Sequence, residues 1–484
     1  MIILRRDHIT IGEVISVHKQ SNMKTNTDVE KAASPVLDDK YTASNNQLST
    51  STDSTPAVDK VETSPGRPDS KDSGLPDEAT EKDEDVPPDG GFAAWCQVVA
   101  ALLTSTISWG TPTAFGVFEL YYVETLKLPD WEVAWIGSVQ FLLTYGMCTF
   151  SGRLADAGYI RSTYAFGAFL VILGTFTTSV GTKYWHFFLS QGLAVGFGLG
   201  IMFMPPLQVL SSYFKKHRTL AMSGAATGTG IGSVILPAII QYSIPQVGFG
   251  WAVRIFGFVA LFCTVTSFFL LKPRLEPRKS GPLVEWNAFK ETPYLLYSIG
   301  VFLLYLALFF GSFYINSFAR NIIRLSTTTS VQLLLIQNGI SIPFRPLVGY
   351  IANYHIGPMN VYIMTSVLFS IVTFAWVAVH NSSGLYAYAA FLGLTNGVCQ
   401  GMFLGSLASL TDDSRKMGTR IGMVHTIVAF ATLAGPPIAG AIIDTDGGRY
   451  LHAQIYAGIV ILVASGFFVG ARYAKTGPHL GVKV

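Results

Sequence analysis

Hydrophobic and polar residues divide this chain into two parts, and the change comes at Asp89. Residues 1–88 are rich in Ser, Thr, Asp, Glu, Lys and Pro, with Tyr41 as their single aromatic residue. Such a segment buries too little apolar surface to offset the entropy that folding would cost. We therefore predict a disordered, acidic tail over residues 1–88.

From residue 89 onward, long apolar stretches alternate with short polar ones. A helix that crosses about 30 Å of hydrocarbon needs about 20 residues, and twelve stretches reach that length. This pattern predicts an all-α membrane protein with twelve transmembrane helices in two six-helix bundles, residues 89–271 and 293–475. The predicted spans are 94–118, 133–151, 163–181, 185–210, 219–241, 250–271, 293–316, 328–352, 359–380, 384–409, 419–443 and 452–472.

The loops between these spans differ in charge. If the N-terminus is cytoplasmic, the inner segments carry 16 Lys and Arg residues and the outer loops carry 5. Because positive residues concentrate on the cytoplasmic side, we predict that both termini are cytoplasmic. The inner loop 272–292 is then a linker between the bundles, and residues 476–484 form a second cytoplasmic tail.

Overall composition limits the possible functions. The net charge of +3 combines −7 in residues 1–88 with +10 in the remainder, and no basic stripe interleaved with aromatic residues points to nucleic acid. The four cysteines lie in apolar stretches without a CxxC pair, which argues against a zinc site or a disulfide framework. We expect neither a metal nor a cofactor.

The two predicted bundles resemble each other in sequence. Gly152-x-x-Ala155-Asp156 after span 2 corresponds to Gly349-x-x-Ala352-Asn353 after span 8, and Pro237 corresponds to Pro437. These pairs share an offset of about 200 residues. A repeat of six spans is typical of a duplicated transporter.

Arg345 is the most informative single residue, because it lies inside span 8 without a charged neighbour. A guanidinium at the centre of a membrane helix costs about 2.5–3.5 kcal/mol on insertion scales. It therefore needs a water-filled cavity, a protein partner or an anionic ligand, and its fork suits a carboxylate. The alternative is that Arg345, in the last third of its span, reaches lipid phosphate.

Several motifs resemble known families. The turn from Gly152 to Asp156 is similar to one in the major facilitator superfamily, although Ala157 replaces the usual basic residue. A narrower set is similar to the monocarboxylate-porter family: Asp89-Gly-Gly-Phe-Ala-Ala-Trp95, the stretch from Tyr213 to Ala221, and Phe344-Arg-Pro-Leu-Val-Gly349. Three more motifs resemble those of its fungal members in particular: Ile356-Gly-Pro-Met-Asn360, Gly418-Thr-Arg-Ile-Gly-Met423 and Gly435-Pro-Pro-Ile-Ala-Gly440. The resemblance implies a twelve-helix, alternating-access carrier of small organic acids or related metabolites.

Two departures from the animal lactate carriers of that family are visible. The position of their span 1 Lys is Thr113 here, and the position of their Asp four residues before the span 8 Arg is Ser341. Lys and Asp are the partners expected to couple a proton to a carboxylate. Their replacement argues against lactate–proton symport and leaves Arg345 without its usual partner.

The resemblance also implies which spans line the cavity, namely 1, 4, 7 and 10 with their neighbours. Polar groups inside a membrane commonly hold helices together, and hydroxyls commonly bond to their own helix, so each candidate has a structural alternative. The predicted substrate-binding residues are Arg345, Thr113, Ser341, Asn338, Trp109, Gln191, Asn396 and Gln400.

Other candidates concern gating, proton transfer and modification. Asp156, Arg153 and Arg161 are expected to form a latch on the cytoplasmic side. His425, deep in span 11, is a possible proton site or a hydrogen-bonded structural residue. The sequon at Asn381 lies in an outer loop so short that we do not expect glycosylation.

These observations favour a secondary transporter for a monocarboxylate-like or planar organic metabolite. It would export a secondary metabolite or import a nutrient, and the resemblance favours the plasma membrane and a monomer. The alternative is a non-transporting membrane sensor with a transporter fold. An enzyme is not expected, because the chain has no HExxH motif and no GxSxG motif in a strand–turn–helix setting.

Overall fold

The computed structural model describes residues 87–274, 282–411 and 416–478, and within these ranges every long regular element is a helix. The predicted tail lies outside the described residues up to residue 86, as do part of the linker and residues 479–484. The all-α fold class predicted from the hydropathy pattern is confirmed.

The helices are named in chain order, and each predicted span lies on one of them. The first six are α1 (Gly91–Glu124), α2 (Asp130–Gly146 and Cys148–Asp156), α3 (Ile160–Thr178), α4 (Tyr184–Phe187, Phe188–Val195 and Gly196–Tyr213) and the two parts, α5 and α6, of the helix Arg218–Leu270. A short 3-10 helix, Trp286–Lys290, then precedes α7. The last six are α7 (Thr292–Leu308 and Phe310–Asn321), α8 (Thr327–Ile351 and Ala352–Ile356), α9 (Pro358–Ala375 and Trp376–Ala378), α10 (Ser382–Leu410), α11 (Met417–Thr445) and α12 (Leu451–Thr476).

The boundary between α5 and α6 differs from the prediction. The sequence pattern places a loop at residues 242–249, whereas the structure is helical there and breaks only at Gly248. Gly248 has φ 78°, a left-handed conformation that glycine adopts without a steric penalty. One glycine is therefore enough to separate the two helices.

Nine helices of the described residues are long and apolar enough to cross a membrane, and the 53-residue helix Arg218–Leu270 counts once among them. Dividing that helix at Gly248 adds one crossing. The helices α8 and α10 are 25 and 29 residues long in their α-helical parts but less apolar. The division of Arg218–Leu270 into two crossings and the crossings by α8 and α10 therefore remain predictions, and so does the total of twelve.

Glycine spacing explains how α8 and α10 approach each other. Gly393, Gly397 and Gly401 recur every fourth residue on α10 and therefore share one face. A Cβ at Gly393 would lie 2.1 Å from the carbonyl oxygen of Gln337, and one at Gly397 would lie 2.2 Å from the Cβ of Ser341. Backbone and side-chain atoms of α8 thus occupy the space that the missing side chains of α10 leave open.

The first six helices contact the last six along two lines. On one line α5 packs against α8 and α10, and on the other α2 packs against α11. At the second line the hydroxyls of Thr149 and Thr426 lie 2.7 Å apart, and Thr426 also donates to the carbonyl of Gly146. These two lines frame the residues of the candidate site.

Candidate substrate site and gate

Arg345 lies on α8 between Pro343 and Pro346 and is 3% exposed. Its Nη1 donates a 2.6 Å hydrogen bond to the carbonyl of Ala226 on α5, and its buried Nε has no hydrogen-bond partner within the described part of the chain. Gly401 of α10 leaves room for the aliphatic part of the side chain, whose Cγ would lie 3.1 Å from a Cβ at that position. The guanidinium is thus directed toward the first six helices, which does not match the alternative of a head group in lipid phosphate.

A cluster of aromatic rings lies where the two sets of helices meet, and we call it the ring cluster. Its members come from α1, α2, α4, α7, α10 and α11 and are Trp109, Tyr145, Phe203, Tyr305, Phe403 and His425. Ring centroids of Trp109 and Tyr145 are 4.5 Å apart, and those of Phe403 and His425 are 4.9 Å apart. Tyr145 and Tyr305 join the two sets of helices at 6.4 Å.

The rings of this cluster pack closely, but not all of its polar atoms have a hydrogen-bond partner among the described residues. The hydroxyls of Tyr145 and Tyr305 have no hydrogen-bond partner among the described residues, and neither oxygen is sealed from solvent. His425 bonds through Nδ1 to the carbonyl of Ile421 at 2.9 Å. Because a carbonyl only accepts, Nδ1 carries the proton, and Nε2 is the acceptor of the neutral ring. This bond agrees with a structural His425 and leaves Nε2 for other use.

Besides Arg345, four predicted substrate-binding residues lie on α1 and α8. Trp109 is a partly exposed member of the ring cluster. Thr113 is exposed one turn further along α1, but its hydroxyl donates to the carbonyl of Trp109. Ser341 is buried against α10 and donates to the carbonyl of Asn338, whose own amide donates to Leu334. The structural alternative of back-bonding therefore describes both hydroxyls.

The predicted amides of α10 form a chain of hydrogen bonds. Gln400 donates to Asn396 at 2.6 Å, and Asn396 donates to Ser312 on α7 at 3.4 Å. Gln337 of α8 also donates to Ser312, while its Oε1 is buried without a partner. This chain links three helices of the last six. Gln191 does not join it, because Gln191 accepts a 2.6 Å bond from Tyr122 within the first six helices.

The predicted gate residue Asp156 joins α2 directly to α11. The Asp156 side chain is 2% exposed and accepts bonds from the backbone N–H groups of Gly418 (3.2 Å) and Thr419 (2.7 Å) and from the Thr419 hydroxyl (2.5 Å). The carboxylate of α2 therefore caps the N-terminus of α11, where the helix dipole favours negative charge. Gly152 allows this approach, since a Cβ there would lie 2.2 Å from the carbonyl of Gly418.

The predicted latch residue Arg161 contacts the first six helices instead of α11. Arg161 donates through Nε and Nη2 to the carbonyl of Leu271, so it caps the end of α6 and stays within the first six helices. Arg153 is partly buried on α2, one turn before Asp156. Asp156 thus bonds directly to α11, whereas Arg161 bonds to the end of α6.

Comparison with known proteins decides the family. The sequence profile of the Major Facilitator Superfamily matches residues 98–436. This chain belongs to the Major Facilitator Superfamily. Since this superfamily consists of transporters, the protein is a multi-pass membrane transporter and not an enzyme, and nothing in the comparisons supports the sensor alternative. They do not confirm the narrower monocarboxylate-porter family.

Relatives and solved structures agree with this assignment. The transporter is 38% identical over 388 residues to an MFS-type transporter of Gibberella zeae, covering 80% of this chain and 88% of that one. It is 34% identical over 391 residues to the aspyridones efflux protein apdF of Emericella nidulans, covering 80% and 79%. A bacterial homologue of the iron transporter ferroportin in an outward-facing state shares the fold, with a TM-score of 0.63 at 14% identity over 79% and 100% of the two chains.

The transporter also has contacts that the sequence reasoning did not find. Asp89, known from the sequence only as part of a motif, accepts 2.6 Å bonds from the backbone N–H groups of Lys215 and Lys216. Asn353 is the counterpart of Asp156 in the second repeat, and its amide lies 3.5 Å from the ring nitrogen of His217. The two repeats therefore differ. The turn before α11 is bonded by Asp156 of the other set of helices, whereas the turn before α5 is bonded by Asp89 of its own set.

An ion-pair network near the start of α11 was also missed. Arg420 bonds to both carboxylate oxygens of Glu291 and lies 3.6 Å from Glu285, which pairs with Lys416 at 3.0 Å. Tyr294 of α7 donates to the carbonyl of Arg420. These bonds attach the described end of the linker to the last six helices.

Two features of the sequence indicate the position of the ring cluster. Phe203 and Phe403 are separated by 200 residues, the offset that relates the other repeated positions. Prolines follow two of the six cluster positions, with Pro112 after Trp109 and Pro205 after Phe203. Prolines within helices commonly mark kinks, so the repeat and the prolines together could have located this level of the bundle.

The remaining predictions concern modification, metals and a cavity. Asn381 is exposed and caps α10, accepting a 2.7 Å bond from the backbone of Gly384. Over the described ranges no group of three His, Cys, Asp or Glu residues could hold a metal. A cavity of about 360 Å³ lies near Gly405, one turn beyond Gly401 on α10, and the charged residues of its lining are all basic: Lys215, Lys216, Arg218 and Lys475.

Proposed function

We propose that this transporter exports a small organic metabolite, either monocarboxylate-like or planar, by alternating access. The name of its Emericella nidulans relative is that of an efflux protein for aspyridones, which favours export of a secondary metabolite over import of a nutrient. The motifs at Asp89, Tyr213 and Phe344 favour the monocarboxylate-porter family. The absence of the Lys and Asp at positions 113 and 341 argues against that family's lactate–proton symport.

The observation that carries the proposal is the environment of Arg345. Its guanidinium is buried at the contact between the two sets of helices, and its one hydrogen bond among the described residues is to a neutral carbonyl. An anionic oxygen would form a shorter and stronger, charge-assisted bond. Arg345 is therefore suited to hold a carboxylate or another acidic group in exchange for Ala226.

The arrangement of contacts supports a direction of access. The end of the bundle that holds Asp156 is closed by the cap on α11 and by the Gly152–Gly418 contact. The excess of Lys and Arg at this end favours a cytoplasmic location, so the closed end is the cytoplasmic one. The cavity near Gly405, whose charged lining residues are basic, lies on the same side of Arg345 and would attract an organic anion from the cytoplasm when this end opens.

The location and assembly follow from the same reasoning. We propose a plasma-membrane protein with both termini in the cytoplasm, because export from the cell requires that membrane. The two predicted bundles, residues 89–271 and 293–475, would be the units that move, and a monomer contains both.

The first experiment identifies the cargo. Metabolites inside and outside cells are compared by untargeted mass spectrometry, with the gene intact and deleted. The expected result is one or a few organic acids that accumulate inside the deletion strain and decrease in its medium. Equal profiles in both compartments would contradict export.

The second experiment tests Arg345 with that metabolite. Arg345→Gln keeps a hydrogen-bonding side chain of similar polarity without the charge, and we expect it to reduce transport into inverted membrane vesicles at least about tenfold. Arg449→Gln is the matched control, because Arg449 is exposed and pairs with Asp446 near the start of α12. Full transport by Arg345→Gln at normal membrane abundance would refute the role of Arg345.

A further inference from the structure

Resting on the proposed export function, we propose that the substrate is an aromatic organic acid that also carries a hydroxyl group. Its ring would stack at the ring cluster, its acidic oxygen would bind Arg345, and its hydroxyl would bond to His425. The cluster would then be a recognition site as well as a packing contact.

The first argument is the number of polar atoms in the cluster that lack a partner. Tyr145 and Tyr305 are 4% and 6% exposed, yet their hydroxyls make no hydrogen bond among the described residues and remain accessible. A hydroxyl that remains accessible both donates and accepts hydrogen bonds, so each of these two can take a partner from outside the chain. Two unpartnered hydroxyls on facing helices α2 and α7, 6.4 Å apart between ring centroids, therefore indicate a place for a ligand.

The second argument is the set of ligand groups that these donors and acceptors can bind. His425 offers Nε2 as an acceptor, because its Nδ1 proton is donated to Ile421. Arg345 offers only donors, and each tyrosine hydroxyl both donates and accepts. A ligand that satisfies all of them needs an anionic or carbonyl oxygen for Arg345 and an O–H or N–H group for His425. A simple monocarboxylate supplies the first of these and not the second.

The third argument is charge. Arg345 makes no ion pair among the described residues, and the carbonyl that it contacts also accepts a 2.9 Å bond from Thr229. An anionic ligand would therefore compete with a shared, neutral acceptor. The site should prefer an acid over its neutral amide.

The fourth argument is the ring composition. Trp109 is partly exposed while it packs edge-to-face on Phe203 at 5.1 Å and tilted on Tyr145 at 4.5 Å. Its indole is therefore supported by other rings and still offers surface. Aromatic pairs gain stability beyond the area that they bury, which favours a flat, unsaturated ligand over a puckered, saturated one of equal size.

The test uses three probes of matched size on the purified full-length protein in lipid nanodiscs. They are 6-hydroxy-2-naphthoic acid, its fully saturated decalin counterpart, and 6-hydroxy-2-naphthamide. Binding is measured by isothermal titration calorimetry. We expect the aromatic acid to bind at least about tenfold more tightly than either of the other two.

Variants assign these preferences to residues. Trp109→Leu should remove the preference for the aromatic over the saturated acid, and Arg345→Gln should remove the preference for the acid over the amide. Trp135→Leu is the control, because Trp135 of α2 is 56% exposed and outside the cluster. Each variant is checked for normal elution in size-exclusion chromatography, so that loss of fold is not read as loss of binding.

The outcomes separate this inference from the proposed function. Equal binding of the saturated and aromatic acids, or no binding of the aromatic acid below about 1 mM, would overturn the assigned substrate class. Arg345-dependent transport of the metabolite found by mass spectrometry would still stand in either case. If that transport were absent while the aromatic acid bound as expected, the export function would fail and the recognition site would remain.

Discussion

The cap that Asp156 places on α11 offers a direct test of how this transporter holds its closed end. Asp156→Asn keeps the shape of the side chain and removes its charge. In the structure both carboxylate oxygens accept hydrogen bonds from the start of α11. One oxygen accepts from Gly418, and the other accepts two bonds from Thr419. An amide has one acceptor oxygen, so its NH2 group must face N–H or O–H donors.

The size of the effect follows from these contacts. A hydrogen bond to a charged group contributes about 1.5–3 kcal/mol, and a charge at a partly buried helix terminus contributes up to about 2 kcal/mol. Because one oxygen remains as an acceptor, we expect the state closed at this end to lose about 2–4 kcal/mol. The ratio of closed to open molecules should then fall by about 30- to 700-fold.

Electron-spin distance measurements can detect this shift. Spin labels at Tyr159 and Tyr473, both 61% exposed, report on the two sets of helices at the same end. We expect Asp156→Asn to move the distance distribution to longer values. Thr419→Val, which removes one of the three bonds, should move it less, by about fivefold in the ratio.

A control shows whether the charge itself matters. Asp446→Asn removes a carboxylate whose partners among the described residues, Arg449 and His452, are close in sequence, and it should leave the distribution unchanged. An Asp156→Asn distribution identical to that of the unmodified protein would refute the cap as the device that holds this end closed.

Two further predictions concern stability. Gly393→Ala should lower the melting temperature in detergent, because its Cβ would lie 2.1 Å from a backbone oxygen of α8 and overpacking costs about 1–3 kcal/mol; Gly116→Ala, which meets nothing within 4 Å, should not. Glu285→Gln should destabilise the protein by about 3 kcal/mol, because it weakens a nearly buried network around Arg420. Glu291→Gln should cost less than about 1 kcal/mol, since the Glu291 side chain is 47% exposed. Equal melting temperatures for the two glutamine variants would contradict this ranking.

Much of the fold could be predicted because membrane helices are specified locally. A run of about 20 apolar residues needs no partner to be recognised as a crossing, and each predicted span lies on a helix of the structure. The one substantial difference, at Gly248, arose because a loop was expected where a single glycine is sufficient. The depth of Arg345 was readable for the same local reason.

The partners of the site residues could not be predicted in this way. Periodicity places Ser341 and Arg345 on one face of α8, but it does not say which helix that face meets. In the structure Ser341 fills the space beside Gly397, and Arg345 extends past Gly401 to α5. A hydroxyl that the sequence suggested for substrate binding is thereby used in packing.

The sequence alone thus determined the membrane class, the helices and their repeat, because hydropathy and spacing are properties of neighbouring residues. Tertiary structure decided that Asp156 meets Thr419, 263 positions later, and that rings from six helices converge, with Tyr305 within electrostatic range of Arg345. Such contacts depend on the rotation and tilt of every helix in the bundle. No single stretch of the chain contains that information, since it arises only when all the helices pack together.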